Sequence, residues 1–436
     1  MALSTQPYKG ARDFYPEDKR LQKYLFGVMR KAVEKYGYEE YDAPILEPLE
    51  LYQAKTGEEI VNEQTYTFTD RGQRQVAIRP EMTPTVSRMV AARRQDLAYP
   101  LRWYSIPNLW RYERPQRGRL REHWQLNVDI FGVADLGAEQ EIIEVADYIL
   151  QTFKAKRDMY TIKLNSRQLV DAMTQDYLKL SEVEAFTLSK LIDRMHKMEP
   201  GEFIAQAEAI LSPSERESGL SDKFQALLQS KTLEDLPAEL QQHASVEELR
   251  KLITALTNSG ITNVEFDITL MRGFDYYTDI VFEVFDNHPE NNRSLFGGGR
   301  YDGLVSLFGV EPVPTVGFGM GDVTLQNFLE SHNLMPQLYS ETDVYVVIIG
   351  EIYAQAQPAI KKLREMGLKV AVGIGDSKID KQIKTAVKKG LHYAIFIGEN
   401  ELNNESFVLK NLEGQTEEKH SLERIVSIIK DHRKNR

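Results

Sequence analysis

Hydrophobic residues recur at helical spacing through "KRLQKYLFGVMRKAVEKYGYEEY", and the pattern stops near Gly37. Prolines at 44 and 48 break regular structure in the stretch that follows. The period then changes to two. "LRWYSIPNLWRYE" and "HWQLNVDIFG" read as strands, and the residues between them are too many for a tight hairpin turn. In the second strand Trp124, Leu126, Val128 and Ile130 share one face, and His123, Gln125, Asn127 and Asp129 share the other. Just before the loop, Arg111 and Glu113 also share a face.

From about Asn165 to Ser259 the chain is rich in Leu, Ala, Glu, Lys and Gln with turn breaks such as "SPSERESG", which predicts an inserted helical domain. Strand-like sequence returns with "VEFDITLMRGFDYYTDIVFEVF". "PTVGFGMGDVTLQNFLESH" then reads as a strand passing into a helix. "NLMPQLYSETD" is a linker. Beyond it strands ("VYVVIIG", "KVAVGIG", "YAIFIG") alternate with helices ("AQAQPAIKKLREMG", "KIDKQIKTAVKKG"), and "SFVLKNL" is a possible edge strand. That alternation predicts an α/β module with a mostly parallel sheet.

Composition narrows the class. A chain of 436 residues, 42% hydrophobic and 27% charged, is that of a multidomain soluble protein. No apolar run approaches the roughly 18 residues of a membrane span. The first residues lack the apolar core of a signal peptide, so a cytoplasmic location without membrane contact is expected. There is no cysteine, which excludes thiolate metal sites and thiol catalysis. The net charge is −11, yet residues 341–436 hold 16 Lys+Arg against 14 Asp+Glu, leaving −13 on the rest. Any nucleic acid would have to bind through local patches.

One such patch is "RYERPQRGRLREHWQ", with five arginines in fifteen residues. Guanidinium forks at that density suit a polyanion, although a solvated loop would read the same way. In "AIRPEMTPTVSRMV", Thr83 followed by Pro84 predicts a capped helix start with Glu81 just outside it, positioned for an ammonium group or a local cap. "RGFDYYT" pairs an arginine with adjacent tyrosines, and "FGGGRYDG" lets a backbone approach a ligand or another strand closely. Lys378, Lys381, Lys384 and Lys388 line one side of a helix whose other side shows Ile379, Ile383 and Val387. That is a solvated face or a contact for an RNA backbone.

In this order the stretches resemble the histidyl-tRNA synthetases, a branch of the class II aminoacyl-tRNA synthetases, nearly end to end. "KGARDFYPED" is similar to the family's opening element, and "GYEEYDAPILEPLELY" resembles motif 1, which builds a dimer interface around its proline, here Pro44. "RYERPQRGRLREHWQ" resembles motif 2. "RGFDYYT" and "GGGRYDGL" resemble the two histidine-specific segments, and "GFGMGDVTL" sits where motif 3 belongs.

The resemblance implies an α+β fold in which an antiparallel sheet is flanked by helices. The catalytic domain would span 1–165 and 259–332, with a helical insertion at 166–258, a linker at 333–340 and an anticodon-binding domain at 341–436. It implies activation of L-histidine by ATP to histidyl-adenylate, then transfer to the 3′ end of the histidine tRNA, in a homodimer. Magnesium would arrive bound to ATP, with no metal held by the protein. Arg272 and Arg111 would be catalytic. Glu81, Thr83, Gln125, Asp129, Tyr276, Tyr277 and Tyr301 would join them in holding histidine. Arg111, Glu113, Arg119, Arg121 and Thr324 would face ATP, and Arg114, Arg117 and the four lysines would face the tRNA.

Two positions depart from the family pattern. Asp129 stands where glutamate is usual. Val323 and Thr324 stand where motif 3 commonly ends in an acidic residue and an arginine that clamps the ATP tail. Arg117, Arg119 and Arg300 are candidates to replace that arginine. The altered motif 3 also suits a catalytically silent, histidine-binding regulatory paralogue, while the retained motif 2 arginines and the C-terminal module favour the synthetase. A synthetase-like enzyme charging a non-tRNA acceptor is the third reading.

Overall fold

The computed structural model describes residues 3–53, 63–195, 198–271, 276–291, 293–374 and 378–434. The chain divides into two compact units, Met1–Met335 and Pro336–Arg436.

The first unit is built on a nine-stranded sheet. Its spatial order is β1 (Glu39–Glu40), β5 (Leu101–Ser105), β7 (Glu122–Phe131), β12 (Thr315–Gly321), β11 (Ser294–Arg300), β10 (Ile280–Asp286), β8 (Tyr160–Ser166) and β9 (Val264–Phe266). β6 (Asn108–Trp110) pairs with the outer half of β7. The pairs from β5 to β8 are antiparallel, and only the end pairs β1–β5 and β8–β9 are parallel. The α+β class is therefore what the molecule shows.

Alternation along the central strands decides which face is which. Leu126, Val128 and Ile130 of β7 are fully buried with Val316, Phe318 and Met320 of β12. They pack against the helices Pro16–Glu34 and Gly137–Thr152, which bury Leu25, Met29, Ile142 and Ile149 in the same core. Helices between Arg167 and Asn258 share this core through Leu188, Leu249 and Leu252. Burying such a layer drives the fold, and the opposite face of the sheet is left to carry polar groups. A separate three-stranded sheet, in the order β2 (Leu46–Pro48), β4 (Gln75–Ile78), β3 (Tyr66–Thr69), precedes the helix Thr83–Ala92.

The second unit holds a five-stranded sheet in the order β14 (Val370–Val372), β13 (Val344–Ile348), β15 (Tyr393–Ile397), β16 (Phe407–Asn411), β17 (Thr416–His420). Two expectations need correction here. The sheet is evenly mixed, with β13 parallel to β14 and β15 while β16 and β17 are antiparallel. "SFVLKNL" is also not an edge strand, because β17 covers it. β17 reads "TEEKH" and lies on the surface, so no apolar alternation announced it.

The basic helix, Ile379–Lys388, differs as well. It buries Gln382 and Ala386, while Ile379 and Val387 stay exposed. Gln382 closes the end of β13: it accepts from Ile348 N and donates to Ile348 O, each at 3.0 Å. A buried amide that satisfies two backbone groups thus joins Ala386 and the half-buried Ile383 on the packed face of the helix.

Candidate active site

The arginine-rich stretch forms the end of a β-ribbon. β6 ends at Trp110, and the chain leaves it to return as β7 at Glu122. The tip is a tight turn in which Gln116 and Arg119 exchange backbone hydrogen bonds of 2.9 Å, with Gly118 at φ +81°. A positive φ at that bend is why glycine stands there.

Inside the ribbon, the polar face of β7 lines a pocket. Its walls are Glu81, Thr83, Arg111, Gln125, Asn127, Asp129, Tyr276, Tyr277 and Tyr301, and its floor is the glycine-rich pair β11–β12, with Gly297, Gly317, Phe318 and Gly319. Eight of these walls were expected from the sequence. Asn127 was seen on the right face but given no role.

The floor explains the glycines. Gly317 stands opposite Asp129 in the β12–β7 register. A Cβ at Gly317 would lie 2.1 Å from Asp129 Oδ1, and one at Gly319 would lie 2.8 Å from Gln125 Cδ. Behind them, a Cβ at Gly298 would lie 2.0 Å from the Gly317 carbonyl oxygen. The triple glycine therefore serves close strand approach, and the pocket is the volume the missing side chains leave.

Asp129 is the buried acid at the inner end, 4% exposed. Tyr301 donates its hydroxyl hydrogen to Oδ1, while Oδ2 has no hydrogen-bond partner among the described residues. Burial raises its pKa to about 7, against the lowering effect of the Tyr301 bond. Tyr301 itself is pushed well above the usual phenol range by burial and by Asp129. Tyr276 stacks between Tyr277 (4.9 Å) and Tyr301 (5.7 Å) and donates to Glu81 Oε2 at 3.3 Å. Glu81 is a second buried carboxylate in the same lining.

Glu81 does precede a helix, but the cap differs from expectation. Met82 is the capping residue, Thr83 the first helical residue and Pro84 the second. Thr83 therefore makes no capping bond and its side chain turns to the pocket. Arg111 is steered by its Nε, which donates to the Pro80 carbonyl at 2.9 Å.

The next residue outward on the polar face, His123, also lacked a role. Burial and the charges of Arg111 and Arg12 hold its pKa down to about 3, so it stands neutral at physiological pH. Arg12 comes from the opening element and ion-pairs at 2.7 Å with Asp322, the first residue of the helix Asp322–Ser331. No spacing rule could link those two positions.

The remaining expected residues lie outside the pocket lining. Arg119 is exposed, 3.9 Å from Glu113 Oε2. Arg121 lies over the Tyr112 ring at 3.9 Å and donates to Tyr8 OH and the Glu113 carbonyl. Gly10 sits against it, accepting from Arg121 N at 2.9 Å, and a Cβ there would be 2.8 Å from Arg121 Cγ. Thr324 donates to the carbonyls of Leu295 and Gly321. Arg114 and the four lysines are exposed. Arg272 lies outside the described residues. Arg300 is buried in a bidentate pair with Glu139, at 2.5 and 2.8 Å, so it is not available as a replacement clamp. The described residues contain no group of three metal-ligating side chains.

A family model described as histidyl-tRNA synthetase matches residues 10–323. The chain belongs to the histidyl-tRNA synthetase family. It is thus an aminoacyl-tRNA synthetase, a ligase of translation. A second model, described as an anticodon binding domain, matches residues 343–432. Histidine–tRNA ligase of Leptospira biflexa serovar Patoc is 43% identical over 98% of both chains. That of Thermoplasma volcanium is 37% identical over 94% of this chain and 95% of its own. The crystal structure of histidyl-tRNA synthetase from Nostoc sp. PCC 7120 shares the fold, with a TM-score of 0.80 and 23% identity over 99% of this chain and all of that one.

Proposed function

We propose that this histidyl-tRNA synthetase relative activates L-histidine with ATP and transfers the histidyl group to the 3′ end of the histidine tRNA. The observation that carries the reading is one pocket lined by two buried carboxylates, Glu81 and Asp129, together with Arg111. Glu81 suits the α-amino group, with Thr83 and Gln125 beside it. Asp129, Tyr301 and Tyr276 suit an imidazole, whose two nitrogens pair with a carboxylate and a phenol. Tyr277 closes the wall beside them.

In that pose the carboxylate of histidine turns toward Arg111. One of its oxygens attacks the α-phosphorus of ATP as the bond to pyrophosphate breaks. Positioning and charge stabilisation do the work. Arg111 and Arg272 are the proposed guanidiniums at the α-phosphate; Glu113, Arg119 and Arg121 lie toward the outer phosphates, and Mg2+ enters with ATP. In the second step a terminal ribose hydroxyl of the tRNA attacks the adenylate carbonyl and AMP leaves. Arg114, Arg117 and the exposed Lys378, Lys381, Lys384 and Lys388 are the proposed RNA contacts. We read 1–165 with 259–332 as the catalytic domain, 166–258 as its insertion and 341–436 as the anticodon-binding domain of a cytoplasmic homodimer.

Histidine-dependent ATP–pyrophosphate exchange, run beside charging of tRNA with histidine, tests the reading. Both activities are expected. Histidine binding without exchange would overturn it in favour of a regulatory protein, and exchange without charging would point to another acceptor.

A further inference from the structure

The tip of the arginine loop collects guanidiniums from two elements of the fold. Arg117 and Arg119 flank Gly118, and Arg119 pairs with Glu113 at 3.9 Å. A third guanidinium reaches the same place from another element. Arg293 is exposed just ahead of β11, and its Nη1 donates to the Arg117 carbonyl oxygen at 3.2 Å. Among the described residues no carboxylate pairs with Arg293 or with Arg117, whose guanidinium donates to Ser331 Oγ at 3.1 Å. Among the described residues two of these three guanidiniums have no carboxylate partner, so an arriving polyanion would meet charge that nothing nearby pairs.

Thr324 borders this corner. Its hydroxyl is held 2.8 Å from the carbonyl of Leu295, two residues beyond Arg293. A Cβ at Gly118 would be 3.8 Å from Thr324 Cγ2. The helix start thus presents a methyl group to the loop tip, and the cation comes from the β11 side.

We propose that Arg293 is a ligand of the β- and γ-phosphates of ATP, exchanging its bond to the Arg117 carbonyl for the nucleotide and supplying the charge that Thr324 cannot. This rests on the histidine-activation reading. Arg293→Ala is expected to raise the KM for ATP in pyrophosphate exchange about 10- to 100-fold, the scale of a charge-assisted hydrogen bond. The KM for histidine should stay within about twofold. Arg293→Lys should recover part of the loss, and Arg293→Ala combined with Thr324→Arg should recover more by returning a guanidinium from the helix side. An unchanged ATP KM in Arg293→Ala overturns the assignment. So does a loss that Thr324→Arg fails to rescue, or an equal rise in both KM values, since a merely structural role predicts those results. If the unaltered protein shows no exchange, the activation reading fails by itself. Calorimetric binding of ATP with Mg2+ then decides on Arg293: weaker binding in Arg293→Ala supports it, and equal binding overturns it.

Discussion

Tyr301 donates to one oxygen of Asp129, and the other has no hydrogen-bond partner among the described residues at the inner end of the pocket. Burial has raised the pKa of that carboxyl to about 7, and the bond from the tyrosine opposes the rise. A ligand that donates an N–H to Asp129 needs the ionised form. Histidine binding should therefore weaken as pH falls through about 7, and the limb should move to higher pH in Tyr301→Phe, where the lowering bond is gone. Calorimetric titration across pH 5.5–8.5 checks both the limb and its shift. Asp129→Asn should lose the limb attributable to this group. The linkage to folding has the same origin: between about 4 and 7 the native state holds a proton the unfolded chain has released, so this group lowers stability as pH rises through that window.

The pocket floor makes a sharper demand. Gly317→Ala puts a methyl group 2.1 Å from Asp129 Oδ1, between two strands that cannot separate without breaking the sheet. We expect about 1–3 kcal/mol of destabilisation by denaturant unfolding and a loss of histidine binding. Gly303→Ala, which meets nothing within 4 Å, is the control that should retain both.

Arg300 is a scaffold residue despite its place in a histidine-specific segment. It joins β11 to the helix Gly137–Thr152 through Glu139. Removing one member of such a pair strands a buried charge, so Arg300→Met should cost about 3–5 kcal/mol in denaturant unfolding. Arg300→Met with Glu139→Leu should recover much of that loss. A single variant as stable as the unaltered protein would sink the scaffold assignment.

In the second unit, Gln382→Leu leaves Ile348 N–H and C=O without their side-chain partner in a buried site. The expected cost is about 2–4 kcal/mol, read as a lower thermal midpoint of that unit. tRNA charging should fall, while pyrophosphate exchange, which the proposed function assigns to the first unit, should hold within about twofold.

What the sequence made legible follows from periodicity. Alternation along β7 separated the buried row at 126, 128 and 130 from the polar row ending at Asp129, and the pocket is that polar row seen from outside. Helix faces were less legible. The helix Ile379–Lys388 has aliphatic residues at helical spacing, yet a buried glutamine seals the sheet because two backbone groups of β13 needed partners. β17 was silent because a surface strand needs no apolar face. The Arg293–Arg117 and Arg12–Asp322 contacts join residues 176 and 310 positions apart, and such pairings depend on topology that local pattern does not encode.

Gly10 rests on Arg121 with no room for even a methyl group between them. The segment around Gly10 thereby acts as a mechanical stop for the returning limb of the arginine loop. An amino-terminal fusion that tugs on this segment, or a trim that removes it, would be felt as play in the loop rather than as loss of fold. Anyone engineering this end of the protein is adjusting the tension of that loop.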